Sequence, residues 1–482
     1  MTGRLLAALA TLAVLLAGSG ARAATPATGA VAPATAAADG ASGVGDPYFP
    51  LDGNAGYDAL HYDIRTTLVL STGRLRGTTT VTARATERLD SLHLDLLLRV
   101  RDVTVDGATA RWSKPHRHEL RVVPARPVPA GETFRVRVRY SGVPSRLSYR
   151  GERGWHGNRH EVVAMHEPHS APWWFPANDH PTDKARFDIR VRVPRGDHAV
   201  SNGRRVTRVL GERWSVFHWR SLDPMATYLA FFAAGRFRLE RGRTASGVPS
   251  LVAVSRRLSD DAEASALRLL RRTPAVQGWL ERRLGPYPFR LTGGLVTSLR
   301  PGFALETQTR PVYQAWTGDW VVAHELAHQW FGNSVSLERW SDIWLNEGLA
   351  TYLEYWWDAR RAADPARALR ERLSATVGGY DDGFWSLPIG DPQPHALFDD
   401  RVYERGAMAV QALRNRVGDR VFGTLLRRWV ADRRHGHGTV ADFRALAEEL
   451  SGKDLDGFFQ AWLYDDEQPA CISDNGLDES WC

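Results

Sequence analysis

The sequence predicts a multidomain α+β chain in which an N-terminal all-β domain is followed by a mainly helical domain. From about residue 57 to 240, short segments alternate apolar and polar residues, which is the period of a half-buried strand. Farther along the chain, apolar residues recur at helical spacing. A third observation places the chemistry in the helical part, where His324 and His328 are followed by Glu347.

The first residues predict a secretory signal peptide over 1–23. Arg4 precedes the apolar run Leu5–Ala17, which is too short to span a bilayer comfortably, and Ala21-Arg22-Ala23 fits a cleavage site. An uncleaved anchor is the alternative. We therefore expect a secreted, extracellular protein with no stable membrane insertion after the signal is cleaved.

Composition then divides the rest of the chain. Residues 24–45 are mostly Ala, Thr, Gly and Pro and predict a flexible linker. We predict the β domain over 46–242 and the helical domain over 243–470. The tail, 471–482, holds Cys471 and Cys482, which we expect to form a disulfide in an exported protein, with free thiols as the alternative.

The helical domain is expected to begin with one helix and one strand. Ser259 is a plausible N-cap for a helix to Leu284, and residues 291–307 have a strand-like pattern. Further helices are predicted over 343–357, 363–376, 401–417, 421–433 and 440–449, the last starting at a capping box between Thr439 and Asp442.

The sequence His324-Glu325-Leu326-Ala327-His328 predicts a metal site. Residues i and i+4 share a helix face, so both imidazoles can reach one ion, and Glu325 lies where a general base for zinc-bound water would lie. Glu347, on the next helix, is the expected third ligand, which leaves a fourth position open for water. We expect one Zn²⁺ per chain and a hydrolase. The alternative, two surface histidines on an ordinary helix, fits poorly with the apolar neighbours.

These motifs resemble those of the gluzincin zinc aminopeptidases of the aminopeptidase N family. The resemblance implies a thermolysin-like, mainly helical zinc catalytic domain over 243–470, in a short form that lacks the C-terminal helical domain of full-length relatives. It covers most of the chain and is carried by five segments: His324–Asn333, Trp344–Gly348, Gly285–Phe289, Tyr403–Ala407 and Phe458–Leu463.

The resemblance also implies catalytic roles for Glu325 and Tyr403. Glu325 would take a proton from water and deliver it to the leaving amine, and Tyr403 would donate a hydrogen bond to the oxyanion. A tyrosine that only packs in the core is the alternative for Tyr403. Arg405 stands where the family motif has Lys, which keeps the charge but changes the geometry.

Two further glutamates are expected to bind the substrate's ammonium group. Glu306 occupies the place of the glutamate in the family's Gly-x-Met-Glu-Asn motif, although its neighbours differ, and Glu167 matches a second family position. A surface glutamate is the alternative for Glu306. Trp173 and Trp174 either line the pocket or, more often for such a pair, pack in the core.

The resemblance therefore implies a zinc aminopeptidase acting on peptides with a free N-terminus. A thermolysin-type endopeptidase and an epoxide-hydrolase-like relative are the alternatives. The net charge is +7, but the arginines are dispersed, so we expect no nucleic-acid partner. We expect a monomer, and His116 and His118 give no pattern for a second metal.

Overall fold

The structure, a computed structural model, describes residues 40–478. The predicted signal peptide, most of the predicted linker, and Cys482 of the predicted disulfide lie outside the described residues. Within them the predicted order is confirmed, because strands fill the N-terminal half and helices dominate the C-terminal half.

The N-terminal half contains sixteen strands: β1 (Tyr57–Val69), β2 (Arg74–Ala85), β3 (Leu92–Asp95), β4 (Arg99–Val105), β5 (Ala108–Thr109), β6 (Arg111–Ser113), β7 (Glu119–Val123), β8 (Thr133–Gly142), β9 (His156–Gly157), β10 (Val162–Ala164), β11 (Lys184–Pro194), β12 (His198–Ser201), β13 (Arg204–Leu210), β14 (Trp214–Ala226), β15 (Phe232–Gly235) and β16 (Phe237–Arg243). Eight of them form one sheet, in the order β13-β14-β11-β1-β2-β8-β4-β5. Smaller sheets have the orders β3-β7-β6 and β12-β15-β10-β9.

The large sheet buries one face. In β11, Phe187, Ile189 and Val191 are buried, whereas Arg186 and Arg192 on either side of them are exposed and Arg190 is half-buried. This alternation is the period-two pattern from which the strands were predicted. β1 and β11 pair in parallel, and the other pairs in this sheet are antiparallel.

The C-terminal half adds five strands, β17 (Pro249–Ser255), β18 (Thr292–Thr297), β19 (Val312–Gln314), β20 (Ser336–Leu337) and β21 (His437–Gly438). Its helices are α1 (Asp260–Leu270), α2 (Thr273–Leu284), α3 (Asp319–Ala327), α4 (Trp344–Ala359), α5 (Pro365–Val377), α6 (Asp382–Trp385), α7 (Asp400–Val417), α8 (Asp419–Asp432), α9 (Val440–Ser451) and α10 (Asp456–Phe459). β16 spans the predicted domain boundary and pairs with β17, so the two halves share the sheet β16-β17-β18-β19.

Capping residues in the sequence correctly predicted where two of the helices begin. The Ser259 side chain accepts a hydrogen bond from the Ala262 N–H at the start of α1, and Thr439 and Asp442 form the predicted capping box at the start of α9. Both contacts satisfy backbone groups that the first turn of a helix leaves without partners.

Two predicted elements differ from the structure. The single helix predicted from Ser259 to Leu284 is wrong, because α1 ends at Leu270 and α2 begins at Thr273. Pro274 lies in the first turn of α2, where a residue without an N–H is tolerated but would break a continuing helix. The strand predicted over 291–307 is β18 only as far as Thr297.

Among the described residues, no helix is both long and apolar enough to cross a bilayer.

Candidate active site

A cleft of about 760 Å³ lies beside α3 and α4. The structure brings all the predicted site residues to this one cleft, although they come from distant parts of the chain: Glu167, Glu306, His324, Glu325, His328, Glu347 and Tyr403. All except Tyr403 are buried.

Helices α3 and α4 place three ligand atoms around one point. The Nε2 atoms of His324 and His328 are 3.0 Å apart, and the Glu347 Oε2 atom lies 3.3 Å from the first and 3.4 Å from the second. Zinc with ligand bonds of about 2.0–2.2 Å in tetrahedral geometry has ligand atoms about 3.3–3.6 Å apart. The triangle therefore has the size of one face of a zinc coordination shell.

The outer contacts of the two histidines fix which nitrogen faces that point. His324 Nδ1 lies 3.2 Å from Glu354 Oε2, and His328 Nδ1 lies 3.1 Å from the Phe331 carbonyl oxygen. Both partners accept hydrogen bonds, so each Nδ1 is the donor and each Nε2 presents a lone pair. Two buried lone pairs and a carboxylate that face one another are what a divalent cation requires, so these residues fit zinc.

Glu325 lies next to this triangle with one free oxygen. Its Oε2 is buried and has no hydrogen-bond partner among the described residues. Burial is the largest cause that raises the pKa of the Glu325 carboxyl to about 8; Glu306 and Glu347 add to it, whereas His324 and His328 act against it. A carboxyl group whose pKa lies near neutrality is suited to accept and return a proton, and a bound dication would lower that pKa.

Helix α7 places Tyr403 against the same site. The Tyr403 ring lies parallel to the His324 ring within 23°, with 6.0 Å between the centroids. Burial, followed by the charges of Glu347 and Glu167, raises the pKa of the Tyr403 hydroxyl well above its ordinary value. The hydroxyl therefore keeps its proton and can donate a hydrogen bond.

Arg405, two residues after Tyr403, does not enter the cleft. Its guanidinium is fully buried and donates hydrogen bonds to the carbonyl oxygens of Trp385, Leu387, Ala461, Trp462 and Asp465. These contacts join α7 to the segment that ends the catalytic part of the chain. Arginine uses its planar fork of donors here in a way that lysine cannot.

Two residues that follow the histidine motif hold Glu306 in place. Gln329 Nε2 and Asn333 Nδ2 donate hydrogen bonds of 2.9 and 2.8 Å to the Glu306 backbone oxygen. The segment that carries His324 and His328 is therefore directly connected to Glu306. Glu306 lies outside any strand, so these side chains rather than a sheet fix its position.

Glu306 and Glu167 present free carboxylate oxygens to the cleft. The Oε1 atom of each is buried without a hydrogen-bond partner among the described residues. Burial is the largest cause that raises the pKa of both carboxyls, and Glu306 further raises the pKa of Glu167. Two buried acids with free oxygens are suited to a cation as ligand, because a cation would stabilise their ionised forms.

Sequence reasoning missed two residues of the site. Glu354 orients His324, and its position two helical turns after Glu347 on α4 is a signal that could have found it. The Tyr228 hydroxyl hydrogen-bonds Glu306 from a short helical turn of the N-terminal half, and no sequence pattern marks it. Trp173 and Trp174 are completely buried and do not line the cleft, so they pack in the core.

Comparison with known proteins places both halves of the chain. Residues 58–229 match the family model described as the peptidase M1 N-terminal domain, and residues 293–462 match the peptidase family M1 domain. The chain is 26% identical over 432 residues to aminopeptidase N of Lactococcus lactis subsp. lactis, covering 82% of this chain and 49% of that protein. It is 27% identical over 401 residues to human endoplasmic reticulum aminopeptidase 1, covering 74% of this chain and 41% of that protein. The chain thus spans about half the length of the curated relatives it matches.

Solved structures match over nearly the whole chain. The M1 zinc metallopeptidase from Deinococcus radiodurans has a TM-score of 0.79 and 29% sequence identity, covering 89% of this chain and all of that one. A mutant of that enzyme bound to the substrate Tyr-Ser-Ala has a TM-score of 0.78, 29% identity and the same coverage. With its N-terminal and catalytic domains matched in order, and an aminopeptidase N-like set of gluzincin motifs, the chain belongs to peptidase family M1.

Proposed function

We propose that this protein is a zinc-dependent aminopeptidase that removes N-terminal residues from peptides and acts as a monomer. One observation carries the proposal: the free oxygens of Glu306 and Glu167 line the same cleft as His324, His328 and Glu347. Carboxylates that can bind a cation, placed next to a set of metal ligands, fit a peptide that is held by its N-terminal ammonium group. The bond that is cut is then the first peptide bond of that chain.

The residues of the cleft divide the chemistry among them. Zinc bound by the triangle would polarise the scissile carbonyl and lower the pKa of a water. Glu325 accepts the proton of the attacking water and passes it to the leaving nitrogen. Tyr403 donates a hydrogen bond to the carbonyl oxygen as negative charge develops there. Glu306 and Glu167 hold the ammonium group and so limit how far the peptide enters.

Substrate pairs that differ only at the N-terminus test this proposal. Aminoacyl fluorophores with a free or an acetylated N-terminus should differ by at least about 100-fold in kcat/KM, because acetylation removes the charge and adds bulk against two carboxylates. Glu306→Gln should reduce kcat/KM on the free-amine substrates and leave the zinc content unchanged.

The control for Glu306→Gln is Glu449→Gln, an exposed change on α9. It should match the wild type on every substrate. Internal cleavage of blocked peptides at the rate of N-terminal trimming would instead identify a thermolysin-type endopeptidase and refute the roles of both glutamates.

We also propose that the protein is exported and that its signal peptide, residues 1–23, is removed. The support is the sequence pattern of the first residues, a positive start followed by a short apolar run and a small-residue cleavage site. The mature N-terminus should be Ala24 when the protein secreted by its own host is sequenced. Retention of the protein in the cells with residues 1–23 intact would contradict this.

A further inference from the structure

A second cluster of metal-ligating side chains lies in the N-terminal half, outside the catalytic cleft. The His118 Nε2 atom lies 3.4 Å from Glu119 Oε1, 3.7 Å from Asp95 Oδ1 and 3.9 Å from Asp52 Oδ1. All four residues are at most 2% exposed. None of them lines the catalytic cleft.

Each of the three carboxylates is held by one oxygen and presents the other. The held oxygen of Asp95 accepts hydrogen bonds from Asn54 Nδ2 at 3.0 Å and from the Asp179 N–H at 2.9 Å. The held oxygen of Glu119 lies 3.0 Å from His93 Nδ1, and that of Asp52 contacts His169 Nε2. These contacts fix the carboxylates in the orientation that turns their second oxygens towards His118. Hydrogen bonds behind a ligand play this part in metal sites.

The three presented oxygens lack partners. Asp52 Oδ1, Asp95 Oδ1 and Glu119 Oε1 are buried and accept no hydrogen bond from any described residue. A protonated His118 could donate a single Nε2–H, and its distances to the carboxylates, 3.4 to 3.9 Å, are too long for a normal hydrogen bond. His169, which contacts Asp52 and Glu152 through its two ring nitrogens, neutralises part of this charge. Burying the Asp95 and Glu119 carboxylates beside it without a further cation would still be costly.

Two neutral oxygen atoms complete the surroundings of His118 Nε2. The Tyr149 hydroxyl lies at 3.3 Å and the Leu51 backbone oxygen at 3.4 Å. Ligand atoms bonded to one cation at about 2.1–2.4 Å lie about 3.0–3.9 Å apart. The separations measured from His118 Nε2, 3.3 to 3.9 Å, fall in that range.

We propose that Asp95, His118 and Glu119, with Asp52 beside them, form a second metal site that binds a first-row divalent transition-metal ion. The carboxylates favour a hard divalent cation, and the imidazole favours the transition metals over calcium and magnesium. Manganese and zinc satisfy both preferences. This ion is additional to the one zinc per chain that the sequence predicts.

The bound ion would join two parts of the chain that are distant in sequence. Asp95 ends β3, Glu119 begins β7 with His118 directly before it, and Asp52 belongs to the segment that precedes β1. The same segment reaches the catalytic half, where Asp46 Oδ2 accepts a hydrogen bond of 2.9 Å from the Trp340 N–H. The ion therefore has a structural role, and its loss should lower stability more than it lowers the intrinsic rate.

Metal binding is best measured where the catalytic site cannot contribute. In the background His324→Ala/His328→Ala, metal-free protein titrated with Mn²⁺ and followed by electron paramagnetic resonance should bind one ion per chain. Saturating Mn²⁺ or Zn²⁺ should also raise the melting temperature by about 3 °C or more. Adding Glu119→Gln or Asp95→Asn to this background should abolish both effects. Asp102→Asn, an exposed acid of β4 paired with Arg139, is the matched control and should keep both.

Three results would overturn the proposal. The first is that the background protein binds neither Mn²⁺ nor Zn²⁺, and the second is that Glu119→Gln binds as well as the background. The third is a response to Ca²⁺ alone, which would exclude His118 as a ligand.

If the carboxylate variants fail to fold, anomalous diffraction from Mn²⁺-soaked crystals of the background protein decides. A peak at bonding distance from His118 Nε2 supports the site, and its absence there refutes it. Because the catalytic ligands are removed throughout, the outcome is independent of the proposed peptidase activity.

Discussion

Gly348 and Gly406 touch where helices α4 and α7 cross. A methyl group placed on Gly348 would lie 2.9 Å from the Gly406 Cα atom, and one placed on Gly406 would lie 2.7 Å from the Gly348 Cα atom. The contact brings the backbone beside Glu347 against the turn after Tyr403. Any side chain at either position would separate Glu347, the proposed metal ligand, from Tyr403, the proposed oxyanion donor.

We expect Gly406→Ala to reduce kcat by tenfold or more, because the two helices must move apart. Overpacking of this kind costs about 1–3 kcal/mol in the free energy of unfolding. Steady-state kinetics and urea unfolding measure the two effects. Gly457→Ala is the control, since a methyl group on Gly457 meets nothing within 4 Å. Normal turnover by Gly406→Ala would show that the crossing does not position Tyr403.

His328→Ala should remove the catalytic zinc, whereas Glu325→Gln should keep it and lose nearly all turnover. The first change deletes a ligand, and the second replaces a proton acceptor by an amide of almost equal size. Elemental analysis in the Glu119→Gln background, combined with kinetics, distinguishes the two. Undiminished zinc in His328→Ala, or near-normal rates for Glu325→Gln, would exclude the assigned role.

Tyr403→Phe should lower kcat by about 10²- to 10³-fold with little change in zinc content, which is the effect of losing one oxyanion donor. Tyr403 is partly buried in the cleft wall, so the ring itself should still pack after the change. A change confined to KM would mean that the hydroxyl contacts the ground state rather than the transition state.

Arg405→Lys should destabilise the fold although it restores the residue usual in the family motif. A lysine ammonium has three donors and cannot reach the five carbonyl oxygens that the Arg405 guanidinium binds. We expect a loss of about 2–4 kcal/mol in the free energy of unfolding, measured by denaturant titration. Unchanged stability would indicate that the segment after α9 adapts to the shorter cation.

Asp188 should contribute stability above about pH 4 that is lost as the pH falls towards 2. Partial burial acts to raise its pKa, but hydrogen bonds with Arg220, His218 and His61 outweigh it and lower the pKa to about 2. A lowered folded-state pKa stabilises the ionised form, so the contribution is present above the ordinary pKa and disappears at acid pH. The difference in unfolding free energy between wild type and Asp188→Asn should therefore shrink by about 1–2 kcal/mol between pH 5 and pH 2. A difference independent of pH would contradict this.

The sequence by itself determined the features that depend on neighbouring residues. His324 and His328 are four residues apart on one helix, so their common face follows from helix geometry alone. The capping box at Thr439 is equally local. The zinc pattern added Glu347, and the family motifs added Tyr403 and Glu306, but the sequence could not show where these residues lie in space.

Only the tertiary structure decided which distant groups meet. Glu167 and Tyr228 reach Glu306 from the N-terminal half because that half packs against the metal helices, a contact that has no local pattern. His118 gave no signal beside Lys114 and Arg117, yet β3, β7 and the segment before β1 surround it with three carboxylates. The physical reason is that the hydrophobic periodicity of one segment shows only which of its faces is buried, whereas a polar cluster depends on how several segments pack together.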